Sequence, residues 1–275
     1  MIARRIAMTL VAVFATVAIL GTTAPIKTAD AQQKNSVLSK IKKEGKLKIG
    51  WAVWFPYAYR DSKTKELAGF SIDVGNALGE ALGVEVEWVE DSWATLIAGL
   101  QAGKFDLNNP MGITLPRAIA VTYTPPFIQY NEGLMVPKSQ AGKYTHWREL
   151  DVKGMKITTT LGATTDAFLT KALVNATLIR AKDGATSIAQ VLSGRADAWA
   201  NGYGAFAKFS KERDDMVVVP GPTMAAVPVA FVMRQGEYHF RDWITYYLRT
   251  EAKTGALDQL AKKHGLEGLV TILTP

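Results

Sequence analysis

The feature that most constrains this chain is an alternation of short strand-like and helix-like hydrophobic patterns that runs through it twice. In the first block, residues 46–50 alternate like a strand, and 51–59 is an aromatic stretch broken by Pro56 that reads as a loop. Phe70, Val74, Ala77, Leu78 and Ala81 recur at the spacing of one helix face, and Gly83 stops that helix before a strand at 84–89. Ser92 is placed to cap a helix over 93–101, and 105–108 is the next strand. In the second block, 155–159, 177–180 and 196–200 read as strands, with helices over 164–173 and 187–192 between them. Parallel strands need long crossovers and helices supply them, so the pattern predicts an α/β fold.

Two Pro-containing extended runs, 127–137 and 217–233, flank the second block, and 238–248 and 256–264 read as late helices. If those helices return to the first block, the two runs are paired crossovers. One lobe then comprises 35–134 plus 229–275 and the other 138–224, with hinges near 134–138 and 224–229. A cleft between two such lobes is the expected ligand site.

At the N-terminus, Arg4 and Arg5 precede a nearly unbroken apolar run over 6–21, and Ala29-Asp30-Ala31 forms an A-x-A cleavage site. This pattern predicts a signal peptide over 1–31, cleaved near Ala31, and a soluble periplasmic protein of the remaining 244 residues. A membrane-anchoring helix is the competing reading. It ranks lower because the run is at the short end of the ~20 residues a span needs and a cleavage motif follows it. The 32 Lys and Arg exceed the 25 Asp and Glu by seven. Arg4, Arg5, Lys27 and Asp30 belong to the leader, which leaves an excess of five spread without a basic cluster, and nucleic acid is not an expected partner. The absence of cysteine excludes disulfides, thiolate metal sites, thiol catalysis and a lipid-anchored Cys.

His146, His239 and His264 are scattered, and there is no HExxH, GxSxG or phosphate loop, so no metal, cofactor or enzymatic activity is expected. Glu132, near a crossover, is the acid best placed for a catalytic role, with a solvated hinge charge as the preferred alternative.

Read together, "GKLKIG", "FPYAYRD", "LAGFSIDVGNALGEALGVEVEWV", "SWATLIAGLQAGKFDL", "GITLPRAIAVTYTPPF", "TTTLGATTDAF" and "VLSGRADAWANGY" make the chain from about 45 to 265 resemble the bacterial extracellular solute-binding proteins that serve ABC importers of polar amino acids. The resemblance implies a type II periplasmic binding protein fold, with two Rossmann-like α/β lobes joined by two crossover strands. It further implies a monomer that closes on a small carboxylate-bearing solute, an amino acid or amino-acid-like, for a membrane permease. A few proteins of this fold are enzymes such as cyclohexadienyl dehydratases, and others sense ligands for membrane receptors. Both are alternatives.

By this resemblance, Arg117, in the turn Ile113-Thr114-Leu115-Pro116-Arg117, grips the ligand carboxylate, because a guanidinium offers a planar fork of donors. A surface arginine paired with an acid is the other reading. The N–H of Gly112 and the Gly162-Ala163-Thr164-Thr165 turn would add donors at a helix N-terminus, although simple capping by the threonines is compatible. Two positions depart from the family. Gly112 stands where a Ser or Thr is usual, and Gly202 stands where an Asp holds the ligand ammonium. Asn201 and Tyr203, Asn108 and Asn109, or a neighbouring acid such as Asp197 could serve instead, with strand-end capping as the alternative for Asn108 and Asn109. Trp54 and Trp93 match aromatic pocket positions and Trp51 replaces an often acidic one, which favours an aromatic, apolar or quaternary-ammonium group on the ligand. Core packing is the other reading for these indoles, and Trp88 and Trp243 are assigned to it.

Overall fold

The computed structural model describes residues 36–275, so the expected signal peptide and its cleavage site lie outside the described residues. The chain enters through a helix, α1 (Val37–Glu44), capped by Ser36 and ended by Gly45 at φ 67°. Only Val37 and Ile41 of its eight residues are buried, so its apolar stripe is too thin to mark a helix in the sequence.

The strands of the main sheet are β1 (Lys46–Trp51), β2 (Glu85–Glu90), β3 (Leu107–Gly112), β4 (Thr122–Tyr123), β5 (Ile128–Pro137), β6 (Lys156–Thr160), β7 (Thr177–Ala181), β8 (Ala198–Gly202), β9 (Met216–Val218), β10 (Ala225–Met233) and β11 (Val270–Ile272). Its main path runs β2-β1-β3-β10-β5-β8-β6-β7. The outer pairs on both sides are parallel, as the alternating pattern requires, whereas β3–β10, β10–β5 and β5–β8 are antiparallel. The two central strands are thus the crossovers. β5 is paired with β10 over Ile128 to Glu132, and with β8 from Glu132 onwards.

Each half has its own apolar core. Helix α2 (Phe70–Leu82) packs Phe70, Val74 and Leu78 against Leu47, Ile49 and Leu107. The late helices, Tyr238–Lys253 and Ala256–Lys263, add Phe240, Ile244, Leu248 and Leu257 to that same cluster. Leu134, Leu150, Ile157, Leu169 and Ala198 form the core of the other half. The expected α/β architecture with two crossover strands is the observed one.

Several elements differ from expectation. The helix expected over 93–101 begins only at Leu96: the Ser92 carbonyl accepts from Thr95 and Leu96 N–H, so 93–95 is a turn rather than a first helical stretch. The helix expected from 187 begins at Gly184, because Asp183 caps it through Thr186 N–H. The run 217–233 is two strands, interrupted around Pro220 and Pro222, which lack the N–H a ladder needs. A helix over Tyr203–Glu212 was not expected at all.

Candidate ligand-binding site

The end of β3 and the start of the following short helix, α3 (Leu115–Ala120), place Arg117: Thr114 caps that helix by accepting from Arg117 N–H, and Pro116 sits in its first turn. The start of α4 (Thr164–Ala172) in the other half places Thr164 and Thr165. Between them lies a cavity of about 440 Å³, within the range of small-molecule sites. Of the ten residues expected at the site, it brings Trp54, Trp93, Gly112, Arg117, Thr164, Thr165 and Asn201 together in the lining.

The Arg117 guanidinium spans the two halves. Its Nη1 donates to the Gly112 carbonyl at 2.8 Å and its Nη2 to the Gly162 carbonyl at 2.7 Å, and it lies 5.8 Å from the Trp93 ring centre. Gly162 is therefore at the site through its carbonyl rather than its N–H, which donates to the Asp166 carboxylate. Five donors on one guanidinium leave three for an incoming anion.

At both glycines that the resemblance marks as departures, an added side chain would meet a neighbour. A Cβ on Gly112 would sit 2.4 Å from Thr164 Cγ2, and one on Gly202 would sit 2.9 Å from the Tyr130 ring. Tyr130 in turn joins Thr164 Oγ1 at 2.9 Å and donates to Glu132 Oε1 at 2.9 Å, and the Thr164 hydroxyl donates to the same Oε1.

Glu132 corrects the expectation of a solvated hinge charge. It is 1% exposed and lines the cavity, because it stands on the central strand with a neighbour on each side. Burial pushes its carboxyl pKa up to about 7, against the opposing pull of the Thr164 and Tyr130 hydroxyls and of Arg117.

Two expected site residues are elsewhere. Trp51 is fully buried and does not line the cavity: as the last residue of β1 it packs on Ala58, Ile72 and Trp88, with Arg60 over its ring at 5.5 Å. Asn109 is also fully buried and off the lining, inside β3 between β1 and β10, where neither side-chain polar atom has a hydrogen-bond partner among the described residues. Asn201 lines the cavity, although its Oδ1 accepts from Gly202 N–H. Thr165 is buried with its hydroxyl joined to that of Thr159.

Aromatic side chains line the cavity in a set different from the one expected. Trp54 stacks on Tyr57 at 3.9 Å and meets Trp93 edge-on at 6.0 Å, while the Trp93 indole N–H donates to the Val53 carbonyl. Phe55 and Phe209 line the cavity too, near the Lys208–Glu212 ion pair. Phe209, Lys208 and Glu212 come from the helix that patterning missed; Phe206 and Phe209 three residues apart were its available signal.

Fold and cavity together define a two-lobed solute-binding protein, with a guanidinium, a buried carboxyl and an aromatic wall gathered where the lobes meet. The chain belongs to the bacterial extracellular solute-binding proteins, family 3, whose sequence profile matches residues 47–267. It is 31% identical over 182 residues, covering 64% of this chain and 60% of the relative, to a probable amino-acid ABC transporter periplasmic-binding protein of Sinorhizobium fredii. It is 24% identical over 174 residues, covering 62% of this chain and 65% of the relative, to the cyclohexadienyl dehydratase of Pseudomonas aeruginosa. The crystal structure of an ancestral amino-acid-binding protein, a precursor of cyclohexadienyl dehydratase, superposes with a TM-score of 0.77 at 30% identity, covering 83% of this chain and 99% of that one. The chain thus spans under two thirds of the length of both relatives. Among the described residues no helix is long and apolar enough to cross a membrane, and no group of three or more His, Asp or Glu is placed to hold a metal ion.

Proposed function

We propose that this protein is the periplasmic solute-binding component of an ABC importer and captures a small carboxylate-bearing solute, an amino acid or amino-acid-like, in the cleft between its lobes. The observation that carries this reading is Arg117, whose guanidinium lines the cavity and is held to main-chain carbonyls of both halves. A carboxylate matches that planar fork. Trp54, Trp93, Phe55 and Phe209 favour an apolar or aromatic group at the other end of the ligand. The lobes are 35–134 plus 229–275 and 138–224, and they close about hinges near 134–138 and 224–229. The protein acts as a monomer and delivers its ligand to a membrane permease.

The test is native mass spectrometry of protein purified without denaturation, followed by calorimetry with the solute it carries and with the standard amino acids, betaines and aryl carboxylates. Stoichiometric binding of an unmodified carboxylate supports the reading; binding only of ligands without a carboxylate refutes it. Small-angle scattering with and without saturating ligand reads closure, and an unchanged radius of gyration counts against the hinge.

One observation favours a second reading. A buried carboxyl with a pKa near 7, lining the cavity as Glu132 does, is what a general acid requires, and a related protein is named a cyclohexadienyl dehydratase. Turnover of a cyclohexadienyl acid, abolished in Glu132→Gln, would establish it.

A further inference from the structure

We propose that Glu132 supplies the negative charge that receives the cationic group of the ligand, in place of an acid at position 202. This rests on the reading of the cavity as an amino-acid site.

Gly202 and Glu132 are directly paired in the antiparallel β8–β5 ladder. Residues opposite each other in such a ladder direct their side chains to the same face, about 5 Å apart, so carboxylates at 202 and at 132 serve the same space. Tyr130, two residues before Glu132 and hence on that face too, lays its ring where a side chain at 202 would begin. The aromatic ring and the shifted carboxylate therefore arise together on one strand.

The chemistry of Glu132 fits the role. Oε1 is satisfied by the Tyr130 and Thr164 hydroxyls, while Oε2 is buried with no hydrogen-bond partner among the described residues. Arg117 lines the same cavity, but its fork is held by two carbonyls rather than by Glu132. A buried carboxyl left with an open oxygen and no bonded cation is unfavourable, and an arriving ammonium offsets that. The other acids in reach are engaged or distant: Asp197 accepts from Lys156 N–H, Glu212 pairs with Lys208, and Asp61 accepts from Lys63 and Thr64 N–H. Arg117 and Glu132 then form a two-ended site for a zwitterion.

The experiment is calorimetry on wild type, Glu132→Gln and Arg117→Ala. The probes are the twenty standard amino acids and, for the tightest binder, its α-hydroxy acid, which keeps carboxylate and side chain but lacks the ammonium. Glu132→Gln is expected to weaken the amino acid about thirtyfold or more and the hydroxy acid less than about threefold, whereas Arg117→Ala weakens both. Equal weakening of both probes by Glu132→Gln, or unchanged amino-acid affinity, overturns the proposal and leaves the cavity reading standing. Failure of wild type to bind any of these probes also overturns the proposal, while binding of a betaine or aryl carboxylate in the wider screen would leave the cavity reading standing.

Should Glu132→Gln not fold, wild-type calorimetry at pH 7 in phosphate and in Tris decides. The groups facing Glu132 are Arg117 from α3, Tyr130 on its own strand and neutral Thr164 from α4; its ladder partners Gly202 and Ala225 carry no charge. A cation that ionises Glu132 releases protons, so the amino acid shows proton release and the hydroxy acid none. Absence of release with the amino acid overturns the proposal.

Discussion

Gly112 and Thr164 fit each other across the cavity: a Cβ on the glycine would fall 2.4 Å from the threonine Cγ2, and 2.7 Å from Val227 Cγ1. The hydroxyl that relatives by resemblance carry at position 112 therefore has no room here. Gly112→Thr is expected to lower stability by about 1–3 kcal/mol through overpacking. Adding Thr164→Ser removes the methyl, keeps the hydroxyl bonded to Tyr130 and Glu132, and should recover part of that loss. Urea midpoints of the two variants measure it.

Arg117→Ala should reduce affinity for a carboxylate ligand by about 3 kcal/mol, because the anion would lose a charge-assisted partner in a closed site. Arg117→Lys should recover only part, since an ammonium cannot span two acceptors as the fork spans Gly112 and Gly162. Wild-type affinity in the alanine variant, read by calorimetry, would show that the carboxylate is held elsewhere.

Trp54 and Trp51 should separate binding from stability. Trp54→Ala removes a cavity wall and is expected to weaken an aromatic or apolar ligand by about 1–2 kcal/mol. Trp51→Ala empties a fully buried site and should cost about 3–5 kcal/mol of stability. Tight binding of a basic or acidic amino acid, undiminished by Trp54→Ala, would remove the case for an apolar ligand end.

Glu132 should give stability a pH dependence of definite sign. Folding raises its pKa from an ordinary carboxyl value to about 7, so between about pH 4.5 and 7 the folded state holds a proton that the unfolded state has released. Its contribution is complete below that window and is lost as pH rises through it, on the order of 3 kcal/mol in all. Glu132→Gln cannot ionise, so the stability difference between it and wild type should shift in the variant's favour from pH 4.5 to 7. A constant difference across that range, from denaturation at several pH values, contradicts the burial argument.

The α/β architecture was legible because period-two and period-3.6 patterns report which face of each element is apolar, and Phe70, Val74 and Leu78 carried that signal without ambiguity. Arg117 was legible through its turn. Trp51 was not, because an indole at a strand end serves pocket or core according to which side of the sheet it faces, and that depends on Ala58 and Ile72 arriving from elsewhere. Glu132 was misread for a related reason. A lone acid in an extended run carries no periodic mark of burial, and only the partners on both sides of β5 seal it from water. The departures at 112 and 202 were visible as glycines, but their steric partners, Thr164 and Tyr130, lie 52 and 72 residues away in the chain.

The change of partner along β5 also bears on how the chain assembles as it is made. Every strand of the far half, from β6 to β9, lies between β5 and β10 in sequence. With Val219 and Met224 closing its core, that half is complete once about residue 224 has left the ribosome. The first half is not: β3 still lacks its neighbour β10, and the core around Phe70 still lacks Phe240, Ile244 and Leu248 from the last helices. A chain emerging N-terminus first thus finishes its middle before its beginning, and the early segments must wait, with apolar surface uncovered, for the final fifty residues to arrive.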